Sequence, residues 1–154
     1  MKIIEVVNAL ERFAPLPLQE DYDNAGLQIG LTEAEISGAL LCLDVTEEVI
    51  CEAERQGCNL IVSHHPLIFR RLRRIAGEDM VQRVVAKAIV NHIVIVSMHT
   101  NMDAAQGGVN FKIAEKMGLS HVGFIGKTRQ AEAHGALADA DAMVAGGEGV
   151  MGEW

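Results

Sequence analysis

The sequence has little of what marks a secreted or membrane protein. Its three cysteines, Cys42, Cys51 and Cys58, are odd in number and form no C-x-x-C pair. This favours free thiols in a reducing compartment over a disulfide framework. No apolar run approaches the roughly 20 residues that a membrane-spanning helix needs, and the N-terminus shows no apolar signal-peptide segment. We therefore expect a soluble cytoplasmic protein that does not contact membranes.

Positive charge is also scarce. Lys and Arg number 13 against 21 Asp and Glu, which gives a formal net charge of −8. Because an acidic surface repels phosphate backbones, we expect no nucleic-acid partner. One exception is the segment Arg70-Arg71-Leu72-Arg73-Arg74. It is suited to receive a phosphate or a neighbouring subunit's carboxylates, or it is a solvated basic loop. The sequence leaves these alternatives open.

Aromatic residues make up only 4% of the 154 residues, whereas apolar residues make up 49%. Aliphatic side chains must therefore fill the core of one folded domain. Buried apolar runs alternate with amphipathic helical segments, which predicts an α/β fold with a mainly parallel or mixed sheet and helices on both faces. The predicted helices cover residues 3–13, 46–56, 78–91 and 109–117, and the predicted strands cover 27–29, 39–43, 59–63 and 93–98.

The last part of the chain differs in composition. We predict a metal-binding α/β domain over residues 1–126 and a Gly- and Ala-rich tail over residues 127–154. Within the tail, Ala131 to Ala142 has helix-forming residues but no clear core face. We expect the tail to be the truncated start of something longer.

Candidate metal ligands follow two of the predicted strands directly. His64 and His65 come after one strand, and Asp103 lies just past the next. In a mainly parallel sheet, ligands bind outside the carboxyl ends of the strands. Adjacent side chains of a regular strand point to opposite faces, but a turn before Pro66 would let both histidines converge. Imidazoles suit Zn²⁺, Fe and Ni, and a carboxylate also accepts Mn²⁺. The sequence therefore predicts a metal site at His64, His65 and Asp103.

Three further polar residues are secondary candidates. His99 is either a ligand or, in the interpretation we favour, a second-shell residue that orients a ligand or substrate. Asp44 is either a ligand or second-shell group, or the cap of the following helix, which we prefer. Asn24 either lines the site or only forms a turn. We assign His92, His121 and His134 to structural or exposed positions.

Four segments carry a resemblance to a known family. They are Asp23-Asn24-Ala25-Gly26-Leu27, the stretch from Asp44 to Ile50, the stretch from Ser63 to Phe69, and His99-Thr100-Asn101-Met102-Asp103. Together they resemble the GTP cyclohydrolase 1 type 2 homologue family, also called NIF-three-like, over residues 1–126. The resemblance implies a dinuclear centre of divalent metal ions (Zn, Fe, Mn or Ni) and a toroidal homohexamer. It further implies that His64 binds one metal, that His65 binds the other, and that Asp103 is a carboxylate ligand.

The sequence departs from the family pattern in one motif. The family also uses a late H-x-x-x-E motif, and here His134 is followed four positions later by Ala138. The chain thus resembles the N-terminal part of such a protein. Either the metals bind with an incomplete ligand set, or another chain supplies ligands, or the protein is a shortened relative, which is the interpretation we favour. A metal-dependent hydrolase acting on a nucleotide or phosphoester is one hypothesis, with its catalytic residues unassigned. The alternative is a non-catalytic metal-binding scaffold or interaction protein.

Overall fold

The structure, a computed structural model, describes residues 1–132 and 143–153. The chain divides into two compact units. The first unit comprises Met1–Val7 and Asn24–His99, and the second comprises Asn8–Asp23 and Thr100–Trp154. Helix α1 (Ile3–Phe13) contributes residues to both units. The predicted division of the chain at residue 126 is not tested by this arrangement and stays a prediction.

The first unit is built on a four-stranded mixed sheet. Its strands are β1 (Gly26–Ile29), β2 (Ala39–Cys42), β3 (Leu60–Ser63) and β4 (Val94–Ser97). They lie in the order β1-β4-β3-β2, in which β2, β3 and β4 are parallel and β1 is antiparallel to β4. Helices α2 (Glu47–Gln56) and α3 (Met80–Val90) pack against each other and against the sheet. The predicted α/β class with a mixed sheet is confirmed.

Local chemistry explains where the helices of this unit begin and end. The hydroxyl oxygen of Thr46 accepts a hydrogen bond from the Val49 N–H at 3.3 Å and so caps the N-terminus of α2. Gly57 ends α2 with a φ of 69°, in the left-handed region that glycine adopts without steric cost. Asp79 caps α3 by accepting from the Gln82 N–H at 2.8 Å. Between these helices and the sheet lies an aliphatic core that includes Ile29, Val45, Ile50, Ile61, Val84, Val85 and Ile95.

The predicted strand over residues 39–43 is present as β2, but the prediction that this strand is buried was wrong. Strand β2 lies at the edge of the sheet, and the side chains of Leu41 and Leu43 are 77% and 64% exposed. A continuous apolar run is typical of a strand that is covered on both faces. Here the sheet ends at β2, so the same run presents leucines to the surface of the chain.

The second unit contains short helices and two small sheets. Its elements are a 3-10 helix (Leu16–Leu18), α4 (Thr100–Ala104), α5 (Val109–Lys116), β5 (Ser120–Phe124), β6 (Arg129–Glu132), β7 (Met143–Gly146) and β8 (Val150–Glu153). Strands β5 and β8 pair antiparallel, as do β6 and β7. The segment predicted as a tail therefore contains strands. The segment with helix-forming residues, Ala131 to Ala142, begins in β6, and its residues 133–142 lie outside the described residues.

Across residues 1–132 and 143–153, every helix is too short or too polar to cross a membrane.

Candidate metal centre

Three histidines of the first unit lie together at the carboxyl ends of β3 and β4. One ligand nitrogen from each of His64, His65 and His99 lies within 4.8 Å of the others. The ring centroids of the three pairs are 5.0, 5.2 and 5.6 Å apart. Since β3 and β4 are parallel neighbours, the residues that follow them emerge at the same edge of the sheet. Within the described ranges, this is the single group of three His, Cys, Asp or Glu side chains with metal-binding spacing.

The backbone brings two adjacent histidines to one place by bending where β3 ends. The N–H groups of His64 and His65 donate to the carbonyls of Cys42 and Leu43 at 3.1 and 2.9 Å. The pairing between β2 and β3 thus continues past Ser63 while the chain bends at residues 64 and 65. At this bend the side chains no longer alternate between the two faces of the sheet. This explains how both rings reach the same side.

Hydrogen bonds indicate which nitrogen of two of the rings carries the proton. Nδ1 of His64 lies 3.0 Å from the carbonyl oxygen of Met98, and Nδ1 of His65 lies 2.8 Å from Oδ1 of Asp44. A carbonyl and a carboxylate oxygen can only accept, so each Nδ1 carries the proton and donates it. The lone pair of each neutral ring is then on Nε2, the tautomer that metal-binding histidines adopt with such partners.

The cap role favoured for Asp44 belongs instead to Thr46. The carboxylate of Asp44 contacts His65, and its side chain is 67% exposed. Its charge is also felt by a neighbouring thiol: burial and, to a smaller extent, Asp44 raise the pKa of Cys42. The Asp44 carboxylate thus lies where it can orient His65, which the preferred cap assignment did not predict.

Asn24 lies in the first unit and braces the loop that follows the histidines. Its amide Nδ2 donates to the carbonyl of Ile68 at 2.6 Å, and Gln28 Oε1 accepts from the Ile68 N–H at 3.1 Å. These two bonds hold the loop against the start of β1. A second-shell role for Asn24 stays a prediction.

The basic segment of this loop, from Arg70 to Arg74, has exposed arginines. Arg74 lies 3.7 Å from Glu78, with both side chains well exposed. A surface pair of this kind contributes little stability. The alternatives of phosphate binding, subunit contact and a solvated loop stay open.

Asp103, the predicted carboxylate ligand, belongs to the second unit. It lies in α4, its side chain is half-buried, and its backbone carbonyl accepts from Asn110 Nδ2 at 3.0 Å. The segment that directly follows His99 is helical. The group of three ligand nitrogens contains no carboxylate, so a ligand role for Asp103 stays a prediction.

A large cavity of the first unit is formed by other residues. Its volume is about 790 Å³, and aliphatic side chains from the end of β1, the loop before α3 and the face of α3 form most of its wall. Gln28 and His92 are the polar side chains of its lining. A wall of this kind offers apolar contact but few groups for chemistry. The candidate centre is therefore assigned from the histidines and not from cavity size.

The comparison with protein families gives a match over nearly the whole chain. A family model described as Duf34/NIF3 (NGG1p interacting factor 3) matches residues 1–153. The chain belongs to the Duf34/NIF3 family. Two relatives named GTP cyclohydrolase 1 type 2 homolog, from Clostridium acetobutylicum and Clostridium perfringens, are 34% and 42% identical to it over 131 and 120 residues. The resemblance found in the sequence is thereby confirmed.

Solved structures of similar proteins show the same fold. A Bacillus cereus protein related to NIF3 matches with a TM-score of 0.78 at 38% identity, over 84% of this chain and 36% of that one. Reduced HcgD from Methanocaldococcus jannaschii matches with a TM-score of 0.73 at 33% identity, over 80% and 50%. The two clostridial matches cover 85% and 78% of this chain but 49% and 46% of the relatives. This Duf34/NIF3 chain therefore spans about half the length, or less, of the relatives it matches.

Proposed function

We propose that this Duf34/NIF3 chain binds divalent transition-metal ions at His64, His65 and His99. The observation that carries the proposal is the convergence of three imidazoles, with ligand nitrogens within 4.8 Å of one another. Two of the rings are held by a carbonyl and a carboxylate in the tautomer that a metal needs. Three neutral nitrogen donors suit Zn²⁺, Fe²⁺ and Ni²⁺ better than Mg²⁺ or Ca²⁺. The donor set therefore fits the proposed ion.

We further propose Asp103 as a carboxylate ligand and two metal ions per centre. Support comes from the sequence, which has Asp103 four residues after His99 in a segment that resembles the family pattern. A carboxylate would add negative charge to the neutral imidazoles and would broaden the choice of metal to Mn²⁺. We also propose that Asp44 orients the His65 ring and that Asn24 holds the loop after the histidines, without either side chain binding the metal.

The reaction we propose is hydrolysis of a nucleotide or phosphoester. The relatives' name, GTP cyclohydrolase 1 type 2 homolog, supports this class of substrate. A bound divalent ion would supply a hydroxide near neutral pH by lowering the pKa of a coordinated water. His64, His65 and His99 would hold the ion, and Asp44 would keep His65 oriented.

A non-catalytic metal-binding scaffold is the second candidate. It is favoured by the composition of the group, which holds three histidines and no carboxylate. A centre with fewer ligands holds metal more weakly and activates water poorly. In this case the metal would stabilise the bend at His64 and His65, and the protein would catalyse no reaction.

We also propose that the chain forms a homo-oligomer in the cytoplasm. The support is the edge strand β2, which presents Leu41 and Leu43 at 77% and 64% exposure. Exposed leucines on an edge strand are typical of a surface that associates with another chain. Light scattering after size exclusion should give a mass that is a multiple of the 16.6 kDa chain. A monomer at micromolar concentration would contradict this proposal.

Elemental analysis of purified protein tests the metal site. We expect at least one equivalent of a transition metal per chain, and loss of this metal in His64→Ala. His121→Ala is the matched control because His121 is exposed, lies 3.4 Å from Glu153 and is not a member of the group of three histidines. Equal metal content in both variants would contradict the site. Assays with GTP and a generic phosphoester then separate the hydrolase from the scaffold.

A further inference from the structure

Two buried serines lie beneath the candidate centre at the ends of neighbouring strands. Ser63 ends β3 and Ser97 ends β4, and they are register partners in the parallel pairing. Their side chains are almost fully buried, at 2% and 0% exposure. Polar side chains are costly to bury without partners, so a buried pair at this position needs an explanation.

Both hydroxyls are directed at one backbone atom. Ser63 Oγ lies 2.8 Å from Ser97 Oγ, and the two oxygens lie 3.0 and 3.4 Å from the carbonyl oxygen of His65. The two hydroxyls have two protons for these three contacts. One proton bridges the serines and the other is donated to the His65 carbonyl, so every donor has an acceptor in either arrangement.

The backbone of His65 is thus held from both sides. Its N–H donates to the Leu43 carbonyl of the edge strand segment at 2.9 Å, while its C=O accepts from the serine pair. In a continuing strand this carbonyl would accept a hydrogen bond from the neighbouring strand. The His65 ring would then lie on the face of the sheet opposite the His64 ring. Instead the chain bends, and the two ring centroids are 5.0 Å apart. Pro66 follows and has no N–H that could compete for these acceptors.

We propose that Ser63 and Ser97 are positioning residues that set the bend at His65 and thereby allow two adjacent histidines to bind one metal centre. This inference rests on the proposed metal site. The serines would not touch the metal. They act through the His65 carbonyl, and their loss should change metal affinity and ligand geometry more than the stability of the metal-free protein.

The test uses Co²⁺, whose affinity and visible absorption spectrum report ligand number and geometry. The variants are Ser63→Ala, Ser97→Ala and the double variant. Ser37→Ala is the matched control because its hydroxyl donates to the Gly57 carbonyl at 2.7 Å in the same unit, away from the histidines. Removal of groups that orient metal ligands typically lowers affinity about 10- to 100-fold. We expect a loss of this size in the double variant and a change in its spectrum.

The single variants should differ in a defined order. After Ser63→Ala the remaining hydroxyl is 3.4 Å from the His65 carbonyl, and after Ser97→Ala it is 3.0 Å away. Ser63→Ala should therefore lower Co²⁺ affinity more than Ser97→Ala, and neither should lower it as much as the double change. This order tests the proposal even if the double variant does not fold.

Two failures are distinguishable. If the parent protein binds no Co²⁺, or if His64→Ala binds it as tightly as the parent does, the proposed metal site itself is wrong. If the parent binds Co²⁺ and the folded double variant keeps the parent's affinity and spectrum, the positioning role of the serines is overturned. If the double variant does not fold, equal affinities of the two single variants and the parent overturn it in the same way.

Discussion

Oδ1 of Asp44 lies 2.8 Å from Nδ1 of His65, across the loop ends that follow β2 and β3. Asp44 is 21 residues earlier in the chain, so the contact exists only because β2 and β3 pair in parallel and bring their carboxyl ends together. A carboxylate behind an imidazole fixes the tautomer and raises the basicity of the opposite nitrogen. The sheet topology, more than any local motif, therefore places the Asp44 carboxylate behind the His65 ring.

This contact predicts that Asp44→Ala weakens metal binding without removing it. His65 would keep its ring but lose the acceptor that orients it, so affinity should fall about 10-fold. Titration with Zn²⁺ against a competing chelator dye measures the change. Glu33→Ala is the control, since Glu33 is an exposed carboxylate of the same unit that pairs with Lys2. An unchanged affinity in Asp44→Ala would show that the contact has no role in binding.

His99 should be a metal ligand and not only a neighbour of one. If it is, His99→Ala should lower Zn²⁺ affinity by at least about 10-fold and change the Co²⁺ spectrum. His92→Ala is the control, because His92 is exposed and lines the separate apolar cavity. A variant that keeps the parent's Co²⁺ spectrum would return His99 to the orienting role that the sequence favoured.

The sheet and the paired histidines can be predicted from the sequence. The contacts between residues far apart in the chain cannot. Strand-to-helix alternation predicts the sheet, and adjacent histidines before proline predict a turn with metal-binding chemistry. The roles of Asp44 and His99 depend on which strands are neighbours, which periodicity does not specify. Ser63 and Ser97 are ordinary residues in apolar strands, and only register shows that their hydroxyls meet. Their one sequence signal is that each ends an apolar strand directly before a histidine-bearing segment.

Gly30 should be a site of strong destabilisation in the first unit. Its φ is 109°, and an added Cβ would lie 2.7 Å from Val94 Cγ2 and 2.9 Å from Val94 Cα. Gly30→Ala combines a strained backbone with overpacking, so it should cost about 3 kcal/mol of unfolding free energy. Gly57→Ala isolates the backbone part, because its φ is 69° and nothing lies within 4 Å of its Cβ position. We expect about 1 kcal/mol there. Urea unfolding monitored by circular dichroism compares them, and equal losses would refute the clash.

We expect the ionisation of Glu48 to make the free energy of unfolding depend on pH in the acid range. Hydrogen bonds from its own backbone N–H and from the Thr46 hydroxyl lower the pKa of the Glu48 carboxyl in the folded state. Its stabilising contribution is therefore fully present above the carboxyl's ordinary pKa and is lost as pH falls through the lowered folded-state value. Urea unfolding between about pH 6 and about pH 3 covers this range.

The matched variants for this pH dependence lie on the same helix. Glu48→Gln removes the ionisable group at the first turn of α2, so its unfolding free energy should decline less on acidification than that of the parent. Glu54→Gln removes an exposed carboxyl later in α2, away from the N-terminal N–H groups that favour negative charge. The Glu54 variant is therefore the control for the removal of one carboxylate charge from the same helix. If both substitutions reduce the acid-induced loss of unfolding free energy equally, this loss arises from the net charge of the chain. The proposed effect at the helix N-terminus would then be wrong.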